Sequence, residues 1–163
     1  MYTDDDSIRT RSNIDTVLSI LNDNHYFTKH DDLVDRFWDM FVIDGFIGNT
    51  DRNTNNFGLL QTSQGYIKFA PIYDCGSSLS ALVSENNMRI RMTNDNLFKR
   101  EEFNVYMCLR KNRNRILFSD YLKTPPLDLA RAIKRIVPKI NMADIVDLVH
   151  NTEGMSEIYY SSC

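Results

Sequence analysis

The sequence lacks the features that mark secreted, membrane-spanning and zinc-binding proteins. It has only three cysteines in 163 residues, and neither Cys-x-x-Cys nor His-Glu-x-x-His occurs. That argues against a disulfide framework, a structural zinc site and a zincin. No apolar run approaches the roughly 18 residues of a membrane span, and the acidic start Met-Tyr-Thr-Asp-Asp-Asp does not resemble a secretory or mitochondrial leader. We therefore expect a cytoplasmic protein with no membrane association.

The composition predicts one globular domain with an uneven charge. Hydrophobic residues make up 42% and charged residues 25%, and the net charge is −3. Residues 1–55 carry five basic and eleven acidic side chains, whereas residues 89–115 carry eight basic and three acidic ones. The basic stretch has two interpretations: a solvated helix face plus a loop, or a docking surface for phosphate or an acidic partner. Direct nucleic-acid binding is not expected, because the pI is about 5.6 and the stretch has no interleaved aromatics.

Hydrophobic periodicity predicts a mainly α fold with one small β-hairpin. Ser12 and Asp15 resemble a capping box for the first helix, and Gly45 and Gly48 are expected to end the second. Two short apolar runs separated by Thr62-Ser63-Gln64-Gly65 are typical of a hairpin. Residues 84–96 are expected to be irregular. The predicted helices are 12–23, 31–46, 100–112, 127–137 and 142–151, and the predicted strands lie within 57–61 and 66–70.

Three oxygen-bearing side chains flank the predicted hairpin. Asp51 and Asn56 precede its first strand, and Asp74 follows its second. Because an antiparallel hairpin returns the chain to its starting end, we expect Asp74 to lie near Asn56. An amide and a carboxylate oxygen suit Mg²⁺, which also keeps waters and substrate phosphates. Asp51 is then free to face a nucleophile.

The whole string is more specific than any one part of it. Its parts are Ile47-Gly48-Asn49-Thr50-Asp51-Arg52, then Asn56-Phe57-Gly58, then Phe69-Ala70-Pro71-Ile72-Tyr73-Asp74. Together they resemble the C-terminal lobe of the HipA-like serine/threonine kinases, including their CtkA-type relatives. The family pattern is Gly-Asn-x-Asp-x-His-x-x-Asn followed by Ala-Pro-x-Tyr-Asp, and Asn53 stands where that family has histidine.

The resemblance implies phosphoryl transfer from ATP to a Ser/Thr hydroxyl of a protein substrate. Asp51 and Asn56 would be catalytic, and Asn56 and Asp74 would hold Mg²⁺, with Asp74 and Arg52 contacting the nucleotide. Residues 1–163 would be a single C-terminal kinase domain: a helical lead-in over 1–30, the catalytic loop and metal-binding core over 31–80, and a mostly helical remainder over 84–163. The family's frequent toxin–antitoxin setting adds an antitoxin as an expected partner.

Glycine is scarce where a kinase needs it. None precedes Gly45, and Lys29 is the only lysine before Asp51, so a Gly-rich nucleotide-covering loop is not expected upstream. We therefore predict a C-lobe without its N-lobe, weak or inactive by itself, with a separate N-lobe subunit as a second expected partner. The alternative is a catalytically dead regulatory or protein-binding remnant. Arg89 and Arg91 lie where kinases carry an activation segment, so we expect substrate docking there.

Two further interpretations of the polar loop compete with the kinase one. Asp51, Asn53 and Asn55 match the first, third and fifth positions of an EF-hand, but Thr62 stands where the bidentate glutamate belongs, which argues against Ca²⁺. An ordinary helix-to-strand turn would also be rich in Asn and Asp.

For Arg52, a surface ion pair is an alternative to contact with a phosphate or with the metal-binding carboxylate.

Overall fold

The fold was obtained as a computed structural model, which describes residues 13–23 and 32–153, apart from the side chains of residues 98 and 101–103. It is mainly helical and contains two small antiparallel hairpins. The elements in chain order are helix α1 (Ile14–Asp23), α2 (Leu33–Ile47), strands β1 (Leu59–Gln61) and β2 (Ile67–Phe69), helices α3 (Glu85–Met92) and α4 (Asp95–Phe103), strands β3 (Tyr106–Lys111) and β4 (Asn114–Leu117), and helices α5 (Phe118–Lys123), α6 (Leu127–Ile136) and α7 (Met142–His150), with a 3₁₀ turn at Val137–Lys139.

The first helix begins one residue later than the capping box predicts. Ser12 lies outside the described residues, and the side chain of Asn13 is the observed cap. Its Oδ1 accepts the backbone N–H groups of Asp15 at 2.8 Å and Thr16 at 3.3 Å. Asparagine is among the best N-cap residues for this reason.

Helix α2 is the centre of the hydrophobic core. Trp38 is buried and meets Phe37 and Phe41 edge to face, at ring distances of 5.4 and 5.3 Å. These contacts bury large aromatic surfaces, which is the main favourable term in folding. Helix α6 packs along α2, and Arg135 of α6 donates to the buried carboxylate of Asp39 at 2.7 Å. The most buried helix is therefore the one from which the polar loop emerges.

Gly45 does not end helix α2 as predicted, because it lies inside the last turn. A side chain at this position would collide with the ring of Phe118, so glycine permits a close approach of α5. The helix ends at Ile47, and Gly48 follows it with a left-handed φ of 67°. That is the usual conformation of a glycine after the last helical residue.

The predicted hairpin forms, with shorter strands than expected. Leu60 of β1 pairs with Lys68 of β2, and the turn is closed by a bond from Gly65 N–H to the carbonyl of Thr62 at 2.9 Å. Phe57 and Phe69 stack at 5.9 Å, and Phe57 also meets Phe37 of α2. This packing fixes the hairpin, and both chain segments that flank it, against the core helix.

The chain between the first hairpin and α6 differs from the prediction. Residues 84–96 contain α3 and the start of α4 rather than irregular chain, with the Ser84 side chain capping α3. The helix predicted over 100–112 is helical only up to Phe103, and Tyr106–Lys111 form β3 instead. Strand β3 pairs with β4 across a turn at Asn112 and Arg113, both with positive φ. Met107 and Leu109 point into the core, as Ile116 does from β4. Along the described helices, none is both long and apolar enough to cross a bilayer.

Candidate functional site

The polar loop is fastened to the end of helix α2. The carbonyl of Asp44 accepts the backbone N–H of Gly48 and, at 2.8 Å, that of Asn49. The Asn49 side chain is fully buried, and its Nδ2 donates to Asp44 Oδ1 at 2.8 Å. The first residues of the loop therefore have a fixed direction as they leave the helix.

Asp51 lies at the surface of this loop, with its backbone held on both sides. Its N–H donates to Asn49 Oδ1 at 3.3 Å, and its carbonyl accepts Nδ2 of Asn56 at 2.9 Å. The residue itself is exposed, whereas Asn56 is buried. The fold thus presents the Asp51 carboxylate to solvent on a constrained backbone.

Arg52, directly after Asp51, is fully buried and joins three chain segments. Its Nε and Nη2 donate to the two carboxylate oxygens of Asp44 at 2.8 and 2.9 Å. Its Nη1 donates to the backbone carbonyls of both Asn56 and Tyr73, and its Nη2 also reaches the Cys75 thiol at 3.3 Å. Burial opposes the charge of Arg52, but the hydrogen bond and the charge of Asp44 outweigh it and raise the pKa of Arg52 above its ordinary value. We call Asp44 and Arg52 the buried clamp.

The segment that carries Asp74 is brought to the loop by this clamp. Because one nitrogen of Arg52 holds the carbonyls of Asn56 and Tyr73, the residue before Asp74 lies next to the backbone of Asn56. The Tyr73 hydroxyl donates to the Asn55 carbonyl at 3.0 Å, a second link between the segments. Asp74 is exposed and has a positive φ of 55°, a conformation that aspartate tolerates better than most residues.

A third link lies beyond Asp74. Ser77 Oγ donates to Oδ1 of the buried Asn49 at 2.6 Å. Asn49 therefore ties together α2, the loop and the stretch after Asp74. The ends of the first hairpin meet, as its topology predicts, and buried polar side chains hold them there.

The geometry corrects one expectation about Arg52. The side chain has no exposed surface and its three nitrogens donate to protein acceptors, so direct contact with a nucleotide phosphate is wrong. The ion pair that it forms is buried rather than at the surface. Arg89 and Arg91 lie on helix α3, where Arg89 is exposed, and their role in docking stays a prediction.

Sequence reasoning missed three residues that shape the site. Asp44 and Asn49 belong to the network around Arg52. Arg115 of β4, 65 positions beyond the loop, donates from Nη2 to the carbonyl of Thr50 at 2.9 Å. The polar residues Asp44 and Asn49 at the end of an apolar helix were a signal for the first two. Nothing in the sequence placed Arg115 next to Asp51, because that contact depends on the second hairpin.

The oxygen donors of Asn56 and Asp74 suit a cation that takes its remaining ligands from water or from a phosphate. Among residues 13–23 and 32–153, no cluster of three or more His, Cys, Asp and Glu side chains could hold a metal. Asn56 offers an amide oxygen and the exposed Asp74 a carboxylate. Such hard oxygen donors fit Mg²⁺, which accepts one or two protein oxygens beside waters and phosphates, better than they fit zinc or calcium.

Comparison with known proteins identifies a relative of this chain. A scan against models of protein families found no match. The sequence is 34% identical over 152 residues to the serine/threonine-protein kinase CtkA of Helicobacter pylori, an alignment that covers 91% of this chain and 46% of CtkA. The crystal structure of the H. pylori proinflammatory kinase CtkA superposes with a TM-score of 0.85 at 31% identity, covering 93% of this chain and 56% of that one.

The chain spans about half the length of the kinase that it matches. The match extends over nearly all of this chain, well beyond the polar loop and the first hairpin. It therefore confirms the fold class predicted from the sequence as well as the resemblance of the loop. This protein is a kinase-like relative of CtkA.

Proposed function

We propose that this chain is the C-lobe of a serine/threonine kinase, and that Asp51, Asn56 and Asp74 form its phosphoryl-transfer site. The observation that carries the proposal is the buried clamp. Arg52 holds the carbonyls of Asn56 and Tyr73 with one nitrogen. This contact supports the proposal because it brings the backbone of Asn56 next to the residue before Asp74, and Arg52 itself directly follows the exposed Asp51.

Each of the three side chains has one task in this proposal. Asp51 orients the acceptor hydroxyl and takes its proton, which an exposed carboxylate on a constrained backbone can do. Asn56 directs its amide nitrogen at the Asp51 carbonyl, which leaves the amide oxygen for the cation. Asp74 supplies the second oxygen ligand. The Mg²⁺ of bound Mg²⁺–ATP would neutralise phosphate charge during transfer.

The half-length match supports one competing function. A chain that covers 46% of CtkA could instead be a regulatory or protein-binding remnant that transfers no phosphate. The two functions share the fold and differ in phosphoryl transfer, for which Mg²⁺–nucleotide binding that depends on Asp74 is the first requirement. That dependence is the property to measure.

Titration of the chain with Mg²⁺–ATP tests the proposal. We expect Asp74→Ala to weaken Mg²⁺-dependent nucleotide binding by about tenfold or more, since even indirect partners of a metal site are typically worth 10–100-fold. The matched control is Asp128→Ala, which removes an equally charged, half-exposed carboxylate of α6 that pairs with Arg131. Binding that is the same in Asp74→Ala and wild type, with both proteins folded by circular dichroism, would exclude the metal-binding role.

A further inference from the structure

The outer face of the second hairpin carries a row of cations beside Asp51. Arg110 of β3 and Arg115 of β4 are direct cross-strand partners. Met107, Leu109 and Ile116 occupy the buried face, so the strand alternation puts both arginines on the outer face. Arg113 is exposed in the connecting turn, and its carbonyl accepts Nη1 of Arg110 at 3.0 Å. We call Arg110, Arg113 and Arg115 the basic edge.

Like charges at directly opposed positions destabilise a hairpin. Within residues 13–23 and 32–153, none of the three arginines of the basic edge forms an ion pair with a carboxylate. Elsewhere in that part of the chain, Arg131 and Arg135 are paired with aspartates. The basic edge is therefore a place where an external anion would relieve repulsion between neighbouring guanidinium groups.

The basic edge adjoins the proposed catalytic residue. Arg115 Nη2 donates to the carbonyls of Thr50 and Tyr106, and its Nε donates to that of Met107. These bonds hold the guanidinium at the residue directly before Asp51. The charges of Arg115, Asp51 and Arg110 all act on the thiol of Cys108, whose pKa is raised chiefly by burial. Arg115 is therefore the member of the basic edge that joins it to the loop carrying Asp51.

From this juxtaposition we infer that the basic edge binds an acidic segment of the protein substrate, so that the preferred Ser or Thr is flanked by Asp or Glu. The inference rests on the proposed kinase function and names its substrate class. A hydroxyl that reaches Asp51 has its neighbouring residues next to Arg110 and Arg115. Carboxylates there would meet guanidinium groups that already lie in place.

Peptide binding to the 163-residue chain tests the inference without any need for turnover. The probes are two fluorescein-labelled peptides with one serine, flanked on both sides by three glutamates in one and three lysines in the other. We expect the glutamate peptide to bind more tightly. Arg113→Gln and Arg115→Gln should each weaken it about two- to fivefold, the range of an exposed ion pair, and added salt should reduce the difference.

The matched control is Arg131→Gln, which removes the same charge from an exposed position on α6 and should leave peptide affinity unchanged. Because Arg115 also bonds three carbonyls, Arg113→Gln keeps the test valid if Arg115→Gln does not fold. Equal binding of the two peptides, or unchanged affinity in Arg113→Gln, would overturn the inference. Stronger competition by a single-stranded oligonucleotide than by the glutamate peptide would overturn it as well.

Phosphorylation separates this inference from the function on which it rests. If this chain, mixed with the part of H. pylori CtkA that lies outside the matched region, phosphorylates both peptides equally well, the kinase function stands and the basic edge is not a docking surface. If neither peptide is phosphorylated but binding of the glutamate peptide depends on Arg113 and Arg115, the docking surface stands and phosphoryl transfer does not.

Discussion

The buried ion pair of Asp44 and Arg52 lies next to the candidate site, and its main effect is to position the surrounding chain segments. Removing two charges from water costs about as much as their attraction returns, so such a pair contributes little net stability compared with apolar residues. Arg52 nevertheless makes bonds to Asp44, to two backbone carbonyls and to a thiol. A planar guanidinium can donate hydrogen bonds to all of these acceptors at once, whereas an ammonium group cannot. We interpret Arg52 as a positioning residue for Asn56 and Asp74.

Loss of the guanidinium should damage both stability and metal binding. We expect Arg52→Met to lower the free energy of unfolding by about 3–5 kcal/mol, because Asp44 would remain as an uncompensated buried charge. Arg52→Lys keeps the charge but loses the forked contacts, so it should fold better and still bind Mg²⁺–ATP more weakly than wild type. Urea denaturation and Mg²⁺–ATP titration of the two variants measure these effects.

The control for Arg52 is an arginine whose ion pair is exposed. Arg131→Met removes the pair with Asp128, both partners of which are about half exposed, and should change stability by less than about 1 kcal/mol. If Arg52→Met unfolds at the same urea concentration as Arg131→Met, loss of Arg52 does not leave a destabilising buried charge on Asp44. If Arg52→Lys binds Mg²⁺–ATP as wild type does, the forked contacts are not needed.

Among the elements, those with strong hydrophobic patterns were predictable from sequence. The broad apolar stripe of α2 and the turn before Tyr66 predicted the core helix and the first hairpin to within two residues. Helix α3 was missed because Met88 is its only buried residue, which gives no helical periodicity. Its cap, Ser84, was the signal present. Most helices in proteins are stabilised by packing of an amphipathic face, and α3 has only one buried residue on such a face.

The second hairpin was misread for a different reason. Its turn residues, Asn112 and Arg113, adopt positive φ without a glycine, and a turn of this shape usually contains one. Burial alternates along this strand, since Met107 and Leu109 are buried while their neighbours are not. The prediction instead includes the run from Val105 to Lys111 in a helix over 100–112. The contact between Arg115 and the loop was lost with it.

The approach of α5 to α2 gives a prediction at the scale of elements. We expect Gly45→Ala to destabilise the fold by about 1–3 kcal/mol, the usual cost of overpacking, because its new methyl group meets the ring of Phe118. The gain in helix propensity of about 1 kcal/mol for replacing glycine by alanine offsets part of this cost. Urea denaturation monitored by the fluorescence of Trp38, which lies in the same helix, measures the difference.

Two further variants separate packing from backbone effects at this helix end. The double variant Gly45→Ala with Phe118→Ala should recover the part of the loss that comes from the collision. Gly48→Ala has open space around it but keeps a positive φ, so it should cost about 1 kcal/mol through backbone strain alone. A Gly45→Ala protein more stable than wild type would show that α5 moves aside without cost.

At the scale of the whole molecule, the sequence predicted which residues meet but not what holds them. Hairpin topology placed Asp74 near Asn56, and the resemblance to kinases assigned roles to both. Asp44 and Asn49, as polar residues at the end of an apolar helix, indicated a special position, but a single sequence does not predict that they form a buried network with Arg52. Burial depends on how helix α2, the loop and the segment after β2 pack in three dimensions.

The half-length match to CtkA leads to the last prediction. Phosphoryl transfer needs the nucleotide held from both sides, because its rate depends on positioning and on exclusion of water. In the proposed function, Asn56 and Asp74 supply the metal ligands and Asp51 the proton acceptor, which together form one side of the site. We therefore expect the pure 163-residue chain to bind Mg²⁺–ATP weakly and to turn over poorly. Adding the part of H. pylori CtkA that lies outside the matched region should restore serine phosphorylation.

The restored activity should depend on this chain's own residues. Asp51→Asn in the mixture should reduce the rate by about 10²–10⁴-fold, the usual contribution of a positioned base, while Asp128→Asn should leave it unchanged. Robust autophosphorylation by the pure chain would contradict the requirement for a second lobe. A mixture that associates and binds Mg²⁺–ATP yet transfers no phosphate would instead favour the regulatory remnant, because it would show a complete cleft without a working base.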